Sequence, residues 1–149
     1  MSDNLHSRID LTDNSIRDAI LELISEFAYR VDCHEGRGVD DLFTEDAEYV
    51  LFGHPVVGRA AIRALYEHRR SRGPRTSRHL FGNVHLAAGE EDCVHATSVL
   101  TLHAADGLPP LPLPPVMIAD YDDVVRRDER GVWKFQRRQI AVAFHAGNC

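Results

Sequence analysis

A histidine in a setting suited to proton transfer lies at the start of a predicted strand. The segment 75–85 reads RTSRHLFGNVH and follows the helix-breaking pair Gly73-Pro74. Because an imidazole accepts and donates protons near neutral pH, His79 facing a pocket could act as an acid–base catalyst. Such a ring needs a partner that fixes its tautomer and stabilises its charge. The candidate partner is Asp32, far upstream in the chain.

Asp32 lies near the C-terminal end of the first predicted helix. The helix dipole disfavours a negative charge at that end. The carboxylate is therefore either stabilised by solvent, as an ordinary surface side chain, or stabilised by a contact with His79. We predict that the fold brings Asp32 within hydrogen-bond reach of His79, directly or through one water, inside a closed pocket.

The spacing of apolar residues predicts helices in the first half of the chain. Side chains of the segment 12–15 can accept hydrogen bonds at a helix start, and Gly36-Arg37-Gly38 ends that helix. A short turn near 39–43 and a second helix over 60–70 follow. The buried face of the first helix is predicted from three- and four-residue spacing: Ile16, Ile20, Leu23, Ile24, Phe27 and Val31.

Strand-forming residues between turn signals predict a short hairpin and then a four-strand meander. The hairpin arms are 47–52 and 56–58, and the later strands are 76–87, 93–104, 116–127 and 132–143. Helices and an early hairpin followed by a run of strands indicate an α+β arrangement.

Strand parity adds two expectations. Ser98 is a polar residue on a face that otherwise carries Val94, Ala96, Leu100 and Leu102, as a pocket-lining residue would be. The opposite face carries His95, Thr97, Val99, Thr101 and His103, and we expect it to be partly buried in a homodimer or homotrimer. In the preceding strand a strict alternation groups His79 with Phe81, Asn83 and His85, unless Gly82 marks a bulge.

Composition excludes several function classes. The chain has 149 residues and a net charge of −6, so we expect one domain, 1–149, that does not bind nucleic acid. No apolar run approaches the roughly 20 residues of a membrane span, and the first residues do not resemble a signal peptide. We therefore expect a cytoplasmic protein without a membrane partner. Residues 1–11 are expected to be flexible and 108–115 to form a proline-rich loop.

Other catalytic settings find little support. The nine histidines are scattered, and the three cysteines, Cys33, Cys93 and Cys149, contain no Cys-x-x-Cys pair. There is no Gly-x-Ser-x-Gly nucleophile elbow and no glycine-rich phosphate loop. We expect no metal site and no organic cofactor.

Several motifs together resemble the SnoaL-like, scytalone dehydratase-like branch of the nuclear transport factor two-like superfamily. They are DLFTEDAEY at 41–49, GRAAI at 58–62, RHLFGN at 78–83, and RRD followed by GVWKF within 126–135. The resemblance spans about residues 13–144. It implies a cone-shaped, curved mixed β-sheet wrapped around N-terminal helices and enclosing one pocket.

Within that superfamily the chain is similar to scytalone dehydratase and hexachlorocyclohexane dehydrochlorinase. In those enzymes an aspartate at the end of the first helix orients a strand histidine that removes a proton, and Asp32 and His79 match these positions. Tyr49 matches a pocket tyrosine of the dehydratase, and Arg138 a pocket arginine of the dehydrochlorinase. The second histidine of the dehydratase falls at Ser98 here, and its tyrosine before the aspartate is Val31.

The resemblance implies a cofactor-independent dehydratase or other lyase, isomerase or cyclase. Its substrate would be a small hydrophobic molecule, cyclic or polyketide-like. Asp32, His79 and Tyr49 would be catalytic. Five residues would contact the substrate: Phe27, Tyr29, Asn83, Ser98 and Arg138.

Three other functions fit the same resemblance. One is a structural protein similar to the β subunit of ring-hydroxylating dioxygenases, and another is a module that binds a ligand without turnover. The third is an epoxide hydrolase of this fold, in which Asp120 or Asp122 would act with Arg138.

Overall fold

The first helix sets the orientation of the sequence-predicted Asp32. In the computed structural model, which describes residues 9–90, 92–114 and 116–146, helix α1 spans Asn14–His34. Asp13 caps it by accepting a hydrogen bond from the Ser15 amide at 2.9 Å. Glu35 ends it in the left-handed conformation. Five predicted apolar positions are buried, namely Ile20, Leu23, Ile24, Phe27 and Val31, so the predicted face of the helix is confirmed.

The remaining elements follow the predicted order. After a turn of 3-10 helix at Val39–Leu42 come strands β1 (Phe43–Leu51) and β2 (His54–Val57) and helix α2 (Arg59–Ser71). The later strands are β3 (Arg75–Ala88), β4 (Cys93–Asp106), β5 (Val116–Arg127) and β6 (Trp133–His145). Residues 107–114, most of the predicted proline-rich loop, form neither helix nor strand. Position 115 and positions 1–8 of the predicted flexible segment lie outside the described residues.

The six strands form one curved, unclosed mixed sheet. Their order is β2-β1-β6-β5-β4-β3, so β2 and β3 are its edges. β1 runs parallel to β6, and every other neighbouring pair is antiparallel. With two helices packed against it, this sheet gives the cone-like α+β fold, and the predicted fold class is confirmed.

Two of the bulges in the sheet decide which side chains of β3 and β6 face the helices. In β3 the register against β4 shifts between Gly82 and His85, and Asn83 has a φ of 50°. His79 and Phe81 therefore face inward before the bulge, and Leu86 after it. In β6 the register against β5 shifts where Phe135 pairs with Val125 and Arg137 with Val124.

The second bulge brings a charge into the core. Gln136 is the extra residue, and its insertion reverses the parity of β6, so that Phe135 and Arg138 both face inward. The inner face of β4 follows the predicted alternation, with Val94, Ala96, Ser98 and Leu100 all buried. The opposite face of β4 points outward, and the association of copies through it stays a prediction.

In the described part of the chain, no helix has the length and apolarity to cross a membrane.

Gly36 provides a test of how the α1 terminus packs on α2. Its φ is +79°, and a Cβ added there would overlap the buried Tyr66 ring, approaching Cγ to 2.6 Å. Gly53 has a similar φ of +82°, yet nothing lies within 4 Å of its added Cβ. We expect Gly53→Ala to cost about 1–2 kcal/mol through backbone strain alone. Gly36→Ala should cost about 1–3 kcal/mol more, because the core must also accommodate the methyl group.

Urea denaturation of the two variants and the wild type measures the difference. Equal losses of unfolding free energy in the two variants would contradict the packing of Gly36 against Tyr66.

Candidate functional site

Asp32 and His79 are in direct contact. Asp32 lies in the last turn of α1 and His79 on β3. The Asp32 Oδ1 atom lies 2.7 Å from His79 Nδ1, and Oδ2 accepts the His79 backbone N–H at 2.8 Å. Ser77 Oγ donates to Oδ1 at 2.7 Å. Both side chains are nearly buried, 8% exposed for Asp32 and 9% for His79. The predicted contact is therefore present, with a third residue, Ser77, that the sequence did not indicate.

This environment keeps the Asp32 carboxylate charged. Burial raises the pKa of Asp32, but the hydrogen bonds and charge of His79 and the Ser77 hydroxyl outweigh it, so the pKa is lower than its ordinary value. An ionised carboxylate only accepts hydrogen bonds, so a neutral His79 must carry its hydrogen on Nδ1. The lone pair of His79 Nε2 is then the basic site of the ring.

An aromatic path leads from the imidazole into the interior. The Phe81 ring, two residues along β3, is stacked near His79 with centroids 6.5 Å apart. Tyr121 of β5 follows, 5.3 Å from Phe81. Tyr49 of β1 influences the pKa of Tyr121 and also that of Tyr66 of α2 through its hydroxyl. Burial is the main cause that raises the pKa of Tyr49 well above its ordinary value, so its hydroxyl keeps its proton.

Phe27 and Arg138 meet at the centre of this interior. Phe27 is 1% exposed and makes edge contacts with four rings, those of Phe43, Tyr49, Tyr121 and Phe135. The Arg138 guanidinium lies 4.2 Å from the centroid of the Phe27 ring and is fully buried. Asp123, also fully buried, lies beside it, with Oδ1 3.3 Å from Arg138 Nε. Two of the predicted substrate-binding residues thus line one interior.

A family model described as a SnoaL-like domain matches residues 13–139. The chain belongs to the SnoaL-like domain family. This confirms the resemblance to the SnoaL-like family that the sequence motifs indicate. No curated protein matches the chain at a significant level.

Solved structures share the fold of this SnoaL-like chain. A candidate scytalone dehydratase from Novosphingobium aromaticivorans is 22% identical with a TM-score of 0.76, over 93% of each chain. LinA is 24% identical with a TM-score of 0.75, over 94% of each chain. ActVI-ORFA from Streptomyces coelicolor is 21% identical with a TM-score of 0.71, over 87% of this chain and 96% of its own. These similarities establish the fold.

Two predicted substrate-binding residues lie elsewhere in the SnoaL-like fold. Tyr29 is 53% exposed and its ring contacts His34. It stands two residues after the buried Phe27, which rotates it by about 200° around a helix with 3.6 residues per turn. Asn83 is exposed, because the β3 bulge turns it away from the inner face. Neither side chain faces the interior, and substrate contact by these two residues stays a prediction.

The acidic neighbour of Arg138 also differs from expectation. The epoxide hydrolase alternative proposed Asp120 or Asp122, and both are exposed on the outer face of β5. Asp123 faces inward instead, on the parity of Ala119, Tyr121 and Val125. Asp120 and Asp122 are two residues apart and so lie on one face of the strand, and two carboxylates on one face are typical of the solvent side. The alternation then predicts that Asp123 faces inward, and this signal could have identified it.

Ser98 occupies the inner face as predicted. It is 2% exposed, and its hydroxyl has no hydrogen-bond partner among the described residues. Tyr49 is likewise inside, directly opposite Arg138 in the β1–β6 register. Polar groups thus lie on four neighbouring strands of the inner face, on Tyr49, Arg138, Asp123, Tyr121 and Ser98.

A narrow cleft opens beside Ser77. Its lining includes Val31 of α1, Arg69 and Arg70 of α2, and Arg75 of β3. Its free volume of about 20 Å³ leaves space for about one water molecule, so a substrate could enter here only if side chains moved. Within residues 9–90, 92–114 and 116–146, no group of three or more His, Cys, Asp or Glu side chains could hold a metal ion.

The three hydrogen bonds on Asp32 predict an acid-dependent stability. Folding lowers the pKa of Asp32 below its ordinary value of 3.8. The charged carboxylate therefore stabilises the folded protein at pH values above 3.8, and this contribution is lost as the pH falls through the folded-state pKa. At neutral pH, Asp32→Asn should cost about 2–3 kcal/mol, since an amide oxygen replaces a carboxylate that accepts charge-assisted bonds. The cost should shrink on acidification below about pH 4.

Denaturant unfolding over a series of pH values measures this cost. Ser77→Ala is the matched control, because it removes one donor and leaves both His79 bonds, for about 1 kcal/mol. An Asp32→Asn protein that is more stable than the wild type would contradict the account, because the helix dipole would then dominate the energy of this carboxylate.

Proposed function

We propose that this SnoaL-like protein is a cofactor-independent acid–base enzyme, a lyase, isomerase or cyclase. Its substrate would be a small hydrophobic molecule of cyclic or polyketide-like type. The observation that carries the proposal is the 2.7 Å contact between Asp32 Oδ1 and His79 Nδ1. This contact leaves Nε2 as a base on a nearly buried ring. The fold of scytalone dehydratase-like neighbours is compatible with such chemistry.

In the proposed mechanism His79 Nε2 removes a proton from an acidic carbon or hydroxyl of the substrate. The electron pair left behind forms an enolate, expels a leaving group or closes a ring. Asp32 stabilises the imidazolium that forms, because its negative charge lies against Nδ1–H. The same proton then returns from Nε2 to the leaving oxygen or to a second carbon. Positioned acid–base catalysis of this kind contributes about 10²–10⁴-fold.

Tyr49 and Ser98 would supply neutral hydrogen bonds to a substrate oxygen. The raised pKa of Tyr49 keeps its hydroxyl a donor at neutral pH. Ser98 Oγ is buried without a partner among the described residues, so a substrate group would satisfy it. Because Ser98 stands where the related dehydratase has a second histidine, the proton that His79 removes would also be the proton that is returned.

A β-hydroxy tetralone tests the proposal, because loss of its α-proton and hydroxyl gives a fluorescent naphthol. We expect the wild type to accelerate this dehydration, and His79→Ala and Asp32→Asn each to lower kcat by about 10²–10⁴-fold. The double variant should be little worse than either single variant, since the two residues act as one unit. His85→Ala is the matched control, because His85 lies on the same strand and is exposed.

Full activity in His79→Ala would move the chemistry to another group. A wild type that binds the tetralone and neither dehydrates it nor exchanges its α-protons with deuterated water would favour the binding module.

A further inference from the structure

The Arg138–Asp123 pair has no part in the proton transfer by His79, and its geometry is unusual. Both side chains are 0% exposed and lie opposite each other in the β5–β6 register. Their closest atoms, Nε and Oδ1, are 3.3 Å apart, yet their alignment does not make a hydrogen bond. In the described part of the chain, none of the three Arg138 nitrogens and neither Asp123 oxygen has a hydrogen-bond partner.

Aromatic rings fix the guanidinium without using its hydrogens. The Arg138 Cζ atom lies 3.9–5.1 Å from four ring centroids, those of Tyr121, Phe27, Phe135 and Phe81. Cation–π attraction from these rings stabilises the positive charge. A guanidinium also has five N–H donors in its plane, and ring faces do not replace acceptors for them. The cage therefore holds a charge whose directional hydrogen bonds are unused.

Such an arrangement is unfavourable unless a ligand completes it. Burying an ion pair is compensated only when its geometry is good and the remaining donors and acceptors are satisfied. Here those conditions are not met, and Ser98 Oγ is a further buried hydroxyl without a partner in the described residues. Ala96 is paired with Asp123 in register, so Ser98 is a diagonal neighbour on the same inner face. Unsatisfied buried polar groups of this kind point to a binding site.

We propose that Arg138, Asp123 and Ser98 form the receptor for one anionic oxygen of the substrate, and that Asp123 takes up a proton when this anion binds. The group would be a carboxylate, an enolate or a phenolate on a flat apolar molecule. The inference rests on the proposed function, because it assigns the chemical class of the group held away from the His79 base. The resemblance to the dehydrochlorinase predicts only that Arg138 contacts a substrate.

Proton uptake follows from the charges in the receptor. While Asp123 is ionised, it neutralises Arg138 and repels a second anion. When Asp123 is protonated, Arg138 is free to bind the anion, and the Asp123 O–H becomes a donor to it. Burial, opposed by Arg138, raises the pKa of Asp123 to about 7. The proton comes from solvent, and the only bond formed is the O–H bond of Asp123.

Among the side chains that contact Arg138 directly, Asp123 is the group that changes charge near neutral pH. Arg138 faces it from β6, and the charge of Asp122, on the outer face of β5, raises its pKa further. Burial is the first cause that raises the pKa of each nearby tyrosine, to about 12 for Tyr66 of α2. The other side chains around the pair come from five elements: Tyr121 from β5, Tyr49 from β1, Ser98 from β4, Phe27 from α1 and Phe81 from β3. His79 lies beyond Phe81 on β3.

The sign of the pH dependence is then fixed. Below about pH 7 Asp123 is already neutral in the free protein, so anion affinity should be constant. Above that pH the free protein must take up a proton to bind, so affinity should weaken by about tenfold per pH unit. Proton uptake per bound anion should rise from near zero toward one over the same range.

Benzoate and formate are the probes, and benzamide is the neutral control of the same shape as benzoate. Isothermal titration in buffers of different ionisation enthalpy gives affinity and proton uptake, and the carbon NMR signal of the Asp123 carboxyl reports its protonation directly. In the wild type we expect both carboxylates to bind with the pH dependence above, and benzoate to bind more tightly than benzamide. Asp123→Asn should bind benzoate with a pH-independent affinity and without proton uptake.

Arg138→Met should lose the preference for benzoate over benzamide. Absence of carboxylate binding in the folded wild type, or benzoate binding without proton uptake above pH 7, would overturn the receptor. These readings do not need a stable Arg138 variant. His79→Ala separates the two proposals, because it should abolish tetralone dehydration while benzoate binding and its proton uptake remain.

Discussion

The buried carboxylate of Asp32 is the group on which the arrangement of the candidate site depends. It lies in the last turn of α1, where the helix dipole opposes its charge, and it is almost removed from water. Hydrogen-bond donors from β3 stabilise the charge in that position, and they come from Ser77 and from both the backbone and the ring of His79. The contact therefore joins helix to sheet and fixes the imidazole at the same time.

The interior beside this contact has polar groups at two places with aromatic rings between them. His79 lies at one side, and the Phe81 and Tyr121 rings lead toward Arg138. Low polarity between the two sites strengthens any charge interaction with a bound molecule. In the two proposals taken together, a flat substrate spanning these places would present an acidic hydrogen to Nε2 and an oxygen to the guanidinium. Proton removal and charge stabilisation would then act at different ends of one molecule.

Much of this architecture is readable from the sequence. The helical spacing of Ile20, Leu23, Ile24 and Phe27 predicts the face of α1, and the alternation around Ser98 predicts the inner face of β4. The motif resemblance pairs Asp32 with His79 across 47 positions of the chain. Local pattern and family motif agree at these places, because regular geometry holds there.

The features that the sequence does not predict lie mainly where the geometry departs from the regular repeat. The β3 bulge reverses parity after Gly82 and exposes Asn83, and the β6 bulge at Gln136 brings Arg138 to the same face as Phe135. Gly82 is a sequence signal for the β3 bulge, but the β6 bulge at Gln136 has none, since its extra residue is selected by pairing with the neighbouring strand. Tyr29 is a different case, because the helical period already places it on another side of α1 from Phe27. Asp123 was missed because the epoxide hydrolase alternative named Asp120 and Asp122, which lie on the outer face of β5.

Nitrogen NMR of His79 tests the central claim most directly, namely that Asp32 fixes the imidazole with a free Nε2. At a pH where the ring is neutral, we expect a proton on Nδ1, a hydrogen-bonded Nδ1–H signal and an unprotonated Nε2. The preference should weaken in Asp32→Asn, whose side chain can also donate to the ring. A neutral His79 with its proton on Nε2 in the wild type would contradict the account, because the nitrogen facing Asp32 would then have no hydrogen to donate.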